Sequence, residues 1–243
     1  MNCELRKIAL YFGSFNPIHN GHIGLGEYML EHGGVDELWY VVSPQNPLKK
    51  RADLWDDELR YKLACEATKH NVRLSVCDIE FHLPIPSYTV NTLRTLSQKY
   101  PDCQFSLLIG ADNYAIFDRW YCYDEILRDY DVYVYPREGV EVDKTKFPQM
   151  KWLDAPLYPI SSTMVREKLA RGEAVDDLVP LRLQITDYRL QSKNKRDANL
   201  RLFYFVCLRI IYSNGCFFRT AMVIIFYSII TKLVNSLQYF ALL

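Results

Sequence analysis

Short continuous apolar runs alternate with stretches in which apolar residues return at helical spacing. The strand-like segments built on these runs, several opened or interrupted by a polar residue such as Glu37, Arg73, Gln104 or Asp131, are Ile8 to Phe12, Glu37 to Val42, Val72 to Cys77, Gln104 to Ile109 and Asp131 to Tyr135, with a shorter one at Lys151 to Leu153. Runs apolar at every position predict strands covered on both faces. Between them, helical spacing predicts helices from about His22 to Glu31 and from Asp57 to Lys69, the latter capped by Asp56. Ser87-Tyr88-Thr89 predicts a cap for a helix reaching Lys99, and Ser161-Ser162-Thr163 one for Met164 to Ala170. Strand and helix in strict alternation predict an α/β protein with a doubly wound parallel sheet. Ligands of such sheets sit beyond the carboxyl ends of the strands.

Composition then divides the chain. Of 243 residues, 49% are hydrophobic, ample for a core, and 29 basic residues balance 29 acidic ones. That balance hides two parts. Residues 181–243 hold nine Lys and Arg against two acids, Asp187 and Asp197, with no Glu and no Pro. The first 180 residues carry 20 basic and 27 acidic side chains. The expected domains are therefore 1–180 and an atypical, apolar extension, 181–243. Zero net charge leaves no basic footprint for nucleic acid. The seven cysteines show no CxxC pairing or metal-ligand spacing, as expected for free thiols in a reducing cytosol. No basic stretch followed by a long apolar one opens the chain, so no signal peptide is expected.

Candidate chemistry gathers in two segments. Gly13-Ser14-Phe15-Asn16-Pro17-Ile18-His19-Asn20-Gly21-His22 joins the first strand to the first helix. A strand, a turn of small residues and a helix start make a phosphate-binding corner. Gly13 and Ser14 let a ligand approach the backbone, and the helix start offers amide donors and partial positive charge. His19 and His22, three apart, share one face of the first turn and can donate where negative charge grows on a phosphoryl group. In Ile160-Ser161-Ser162-Thr163-Met164-Val165-Arg166, a hydroxyl-rich helix start carries a guanidinium, which suits triphosphate oxygens. Asp112, just past the fourth strand, could accept ribose hydroxyls. Either segment alone also fits an ordinary capped helix.

Together, in this order and about 140 residues apart, they resemble the two signatures of the HxGH nucleotidyltransferases. The likeness spans roughly residues 5 to 180 and is greatest to the members acting on pyridine mononucleotides. It implies a Rossmann-like fold and, in NAD biosynthesis, adenylyl transfer from ATP to nicotinate mononucleotide, giving deamido-NAD and pyrophosphate. It implies His19, His22 and Arg166 as catalytic residues, with Gly13, Ser14, Phe15, Ser162 and Thr163 also around ATP. Asn46, Lys49, Thr89, Asp112, Trp120 and Arg137 would hold the mononucleotide, with Trp120 stacked on the pyridine ring. The loop Ser43 to Lys49 departs from the family pattern, since Leu48 stands where a histidine is usual. Mg²⁺ is implied, held by triphosphate oxygens rather than by a protein cage. A cytoplasmic enzyme without nucleic-acid partner is expected, with homo-oligomerisation open. The alternatives are a related transferase, such as one acting on phosphopantetheine or using a cytidylyl donor, and a membrane-anchored homologue without activity.

The extension departs from the resemblance, which predicts a short ending soon after Pro180. Leu181-Arg182-Leu183-Gln184-Ile185-Thr186 can be encoded so that dropping two bases reads Ala-Val-Ala-Asp-Tyr, which resembles that ending. An out-of-frame extension is one expectation. The competing one is a membrane anchor, although the apolar run Thr220 to Thr231 is only 12 residues against the ~20 that a span needs.

Overall fold

The computed structural model describes residues 5–44 and 54–180. Its elements in chain order are β1 (Arg6–Gly13), α1 (Asn20–His32), β2 (Glu37–Val42), α2 (Asp57–Thr68), β3 (Leu74–Cys77), α3 (Thr89–Lys99), β4 (Cys103–Gly110), α4 (Ala111–Ala115), α5 (Tyr123–Asp129), β5 (Asp131–Tyr135), β6 (Lys151–Trp152) and α6 (Ser162–Ala170). The strands form one sheet in the order β3-β2-β1-β4-β5-β6, and every pairing is parallel. Leu10 of β1 lies opposite Trp39 of β2 on one side and Leu107 of β4 on the other.

Two buried layers explain the unbroken apolar strands. Ala9, Tyr11, Leu38, Tyr40 and Val42 face α1, α2 and α6, meeting Met29, Leu63 and Val165. Ile8, Leu10, Trp39, Val41, Leu107 and Val134 face the opposite way, onto Val90, Leu93 and Leu96 of α3 and Ile126 of α5. Successive residues of a strand point to opposite faces, so a strand covered twice must be apolar throughout. The doubly wound sheet expected from the alternation is the one observed.

Asp56 caps α2 by accepting from the Leu59 amide at 3.1 Å, and Ser161 caps α6 by accepting from the Met164 amide at 3.1 Å. Other expectations need correction. The third strand starts at Leu74, because Val72 is 94% exposed with nothing to pack on. The residue capping α3 is Tyr88, which makes no side-chain cap bond, while the Ser87 hydroxyl is buried without a hydrogen-bond partner. The short helices α4 and α5 and the 3₁₀ turns Ile79–His82 and Phe117–Arg119 have too few turns to leave a periodic signature.

The expected extension, 181–243, lies outside the described residues. Among the described residues no helix is long and apolar enough to cross a membrane.

The packing of α1 on β2 leaves no room at Gly26, where an added Cβ would stand 2.1 Å from the Tyr40 hydroxyl. Gly26→Ala is expected to lower the unfolding free energy by ~1–3 kcal/mol through overpacking, measured by urea denaturation. Combined with Tyr40→Phe, which removes that hydroxyl, it should destabilise less than the two single changes summed.

Candidate active site

A cavity of about 950 Å³ opens at the carboxyl ends of the strands, where the strand order reverses between β1 and β4. Its wall includes Gly13, Ser14, Phe15, His19 and His22 of the first segment, and Ser162, Thr163 and Arg166 of the second. Asp112, Trp120 and Arg137 line it as well. The two segments, far apart in sequence, thus meet at one place.

The corner is shaped by Phe15. Its φ of +42° is a left-handed conformation that costs a non-glycine residue roughly 1–2 kcal/mol. Its buried ring offsets that cost, packing edge-on against Tyr11, His22 and Tyr40 with centroids 5.6, 5.1 and 5.5 Å away. A Cβ on Gly13 would come within 2.9 Å of the same ring, so glycine is required there. Phe15 therefore offers a ligand its backbone, while its side chain belongs to the core.

The two imidazoles stack, with centroids 3.6 Å apart and planes 26° from parallel. The His19 amide donates to His22 Nδ1 at 3.2 Å. That bond makes Nδ1 the acceptor and leaves the His22 ring proton on Nε2, the donor end. His19 is 5% exposed. Burial, and secondarily the charge of Arg137, lower its pKa from 6.5 to about 4. Its Nδ1 and the Ser14 hydroxyl are both buried without a hydrogen-bond partner. Orphaned polar atoms in the wall of a cavity fit a polar ligand.

The start of α1 is less open than expected. The Asn20 amide donates to the Leu178 carbonyl at 2.8 Å, and Asn20 Nδ2 donates to the Asp177 carbonyl at 3.0 Å. Residues near the end of the described chain thus occupy one of the amide donors expected to face an anion.

The second segment is docked on the first. Ser162 Oγ donates to the Pro17 carbonyl at 2.9 Å, and Arg166 Nη1 to the Asn16 carbonyl at 2.7 Å. Arg166 Nη2 also donates to Thr163 Oγ1 at 3.1 Å. These bonds hold one face of the Arg166 guanidinium beside the corner that carries the histidines.

On the opposite wall, Arg137 Nε lies 3.2 Å from Asp112 Oδ1, and Nη2 donates to Tyr135 Oη at 2.7 Å. Tyr135 Oη in turn lies 3.1 Å from Tyr11 Oη. Burial raises both phenols, Tyr11 well above 10, so they stay protonated. The ion pair is nearly half exposed and adds little stability; it fixes Arg137 at the rim. It crosses bare backbone, since a Cβ on Gly110 would meet Asp112 Oδ1 at 2.4 Å and Arg137 Nε at 2.8 Å.

Trp120 lines the cavity while its ring packs on Phe117 at 5.0 Å. Thr89 starts α3 and is not among the residues of the cavity wall, although its neighbour Tyr88 packs on Tyr121, next to Trp120. Asn46 and Lys49 lie outside the described residues. Sequence reasoning missed Tyr11, Tyr135 and Arg60. Arg60 left a signal: it occupies the first position of the buried stripe Arg60, Leu63, Ala64, Ala67, where an apolar residue is the rule. Among the described residues no group of three or more His, Cys, Asp or Glu could hold a metal ion.

Residues 10–168 match the family model for cytidylyltransferase-like proteins. A probable nicotinate-nucleotide adenylyltransferase of Bacteroides fragilis is 48% identical over 170 residues, covering 70% of this chain and 85% of that relative. The chain belongs to the nicotinate-nucleotide adenylyltransferase family. Another member, from Flavobacterium johnsoniae, is 44% identical over 177 residues, covering 72% of this chain and 92% of its own length. At the level of fold, the chain resembles a Plasmodium falciparum nicotinic acid mononucleotide adenylyltransferase complexed with NaAD, with a TM-score of 0.64 and 20% identity. That likeness covers 78% of this chain and 98% of the other. As a family member the chain is a nucleotidyltransferase, and the fold expected from the resemblance is the observed one.

The buried His19 makes stability depend on pH. Well above pH 6.5 the ring is neutral in both folded and unfolded chains. As the pH falls from there towards 4, the unfolded chain takes up the proton first and stability drops. Between pH 7 and 5 this site is expected to remove ~2 kcal/mol. Urea unfolding at the two pH values should show that share of the drop missing in His19→Asn.

Proposed function

We propose that this chain transfers the adenylyl group of ATP to nicotinate mononucleotide. The observation that carries the reading is the docking of Ser162 and Arg166 on the Asn16-Pro17 backbone, which sets a guanidinium beside two stacked histidines in a phosphate-binding corner. The named relatives support the choice of substrates.

In the proposed reaction an oxygen of the mononucleotide phosphate forms a bond to the α-phosphorus of ATP, and the bond from that phosphorus to pyrophosphate breaks. The attacking phosphate is already ionised near neutral pH, so positioning and charge stabilisation carry the rate. His19, held neutral by burial, and His22, with its proton on Nε2, supply directional donors rather than cations. The fixed positive charge comes from Arg166 and Arg137. Mg²⁺ would arrive with the triphosphate and neutralise part of its charge. Among the described residues, the wall offers imidazoles and guanidinium groups to phosphate. Trp120 would stack on the pyridine ring, an interaction worth about 1–3 kcal/mol for a base-like ring. Asp112 would receive ribose hydroxyls, and Asn46, Lys49 and Thr89 complete the proposed mononucleotide site.

The test is pyrophosphate release by the full chain with ATP and Mg²⁺ and, in turn, nicotinate mononucleotide, its amide and phosphopantetheine. The acid mononucleotide should be preferred, and His22→Ala should lower kcat by about 10²–10³. Turnover with phosphopantetheine alone would overturn the substrate assignment while leaving the transferase reading intact.

A further inference from the structure

Arg60 of α2 is fully buried, with 0% exposure, and none of the roles above uses it. Its guanidinium reaches three separate parts of the chain. Nη1 donates to the carbonyl of Ser14, in the phosphate corner, and at 2.9 Å to that of Ser43, just past β2. Nη2 lies 3.5 Å from the Pro44 carbonyl and donates to Asp57 Oδ1 at 2.6 Å. Nε donates to the Trp55 carbonyl at 3.2 Å, ahead of α2.

The same places are tied to one another. The Trp55 amide donates to Asn16 Oδ1 at 3.0 Å, and the Ser43 amide to the Gly13 carbonyl at 2.9 Å. Near Ser43, Thr92 Oγ1 donates at 2.8 Å to the buried carboxyl of Glu80. The planar guanidinium is the hub of this network, because its five N–H donors point in fixed directions.

The bond to Ser14 has a geometric consequence. The Ser14–Phe15 peptide is trans, so its C=O and N–H point opposite ways. With the Ser14 carbonyl drawn to Arg60, the Phe15 amide is turned away from the buried guanidinium, and Ser14 and Phe15 both line the cavity.

We propose that Arg60 is a positioning residue for nucleotidyl transfer, which orients the Ser14–Phe15 peptide for the ATP phosphates and locks the phosphate corner to the end of β2 and the start of α2. The proposal rests on the adenylyl-transfer reading only in taking ATP as the ligand of that corner. A lysine carries three donors on one atom and cannot reach acceptors spread over Ser14, Ser43, Trp55 and Asp57.

The test is Arg60→Lys in the full chain, read by calorimetric titration with Mg-ATP and by steady-state kinetics well below the melting temperature. The expected result is a folded protein with Kd for ATP raised at least tenfold and kcat lowered at least tenfold. A folded variant with both values within twofold of wild type overturns the proposal, even if its Tm falls, because a purely structural role changes stability alone. Should Arg60→Lys not fold, Asp57→Asn removes one charged acceptor from Nη2 on the half-exposed side. A Kd for ATP raised at least threefold then supports the proposal, and an unchanged Kd overturns it. ATP binding is read without any acceptor, so a wild-type chain that binds ATP but does not turn over nicotinate mononucleotide overturns the substrate assignment and leaves this test standing.

Discussion

A single buried guanidinium holds the carboxyl edge of this sheet together. Parallel strands all deliver their ends to the same edge, where the chain must turn and its carbonyl oxygens lose their ladder partners. Buried and unpaired, each such group costs ~1–3 kcal/mol. Arg60 gathers carbonyls of Ser14, Ser43 and Trp55 onto one cation, with Asp57 as its carboxylate partner among the described residues. Such an arrangement adds little net stability, yet breaking it is strongly destabilising because a buried charge is left uncompensated. Its value lies in geometry: three turns that could each adopt several shapes are made to share one.

The electrostatics of the cavity follow from what that geometry buries. Depth keeps His19 neutral, and the His19 amide bond gives His22 a defined donor end. Positive charge is left to guanidinium groups, whose charge persists at any physiological pH. The division separates two tasks that a protonated histidine would combine. The imidazoles aim hydrogen bonds, and the arginines set the field. Phosphate groups entering such a site would meet a potential that varies little around neutral pH.

Much of the architecture could be read from the residues alone. The strands were legible because they are covered on both faces, which writes them as apolar runs such as Leu38 to Val42. The corner was legible because Gly13, His19 and His22 are local to one turn. What stayed hidden depends on contacts distant in sequence or on segments too short for a period. The closure of the α1 start by Leu178 joins residues that no local pattern connects. Helices α4 and α5 are single turns or little more. Val72 looked like strand because valine favours strands, yet no neighbour covers it. Arg60 was visible only as a misfit in an apolar stripe, and its meaning needed the carbonyls it meets in space. Of the proposed mononucleotide residues, Asp112, Trp120 and Arg137 share the cavity wall, and Thr89 stands outside it.

The bond from the Asn20 amide to the Leu178 carbonyl bears on the gene as well as on the fold. Val175, Leu178 and Val179 are buried in the layer that covers α1, so the last turns of the described chain are part of the foundation under the corner that carries His19 and His22. A premature stop or shift of frame a few codons upstream would remove a helix cap and three core residues together. Late truncations are often mild in enzymes whose ends hang free. Here the reading frame has to be maintained through at least codon 179.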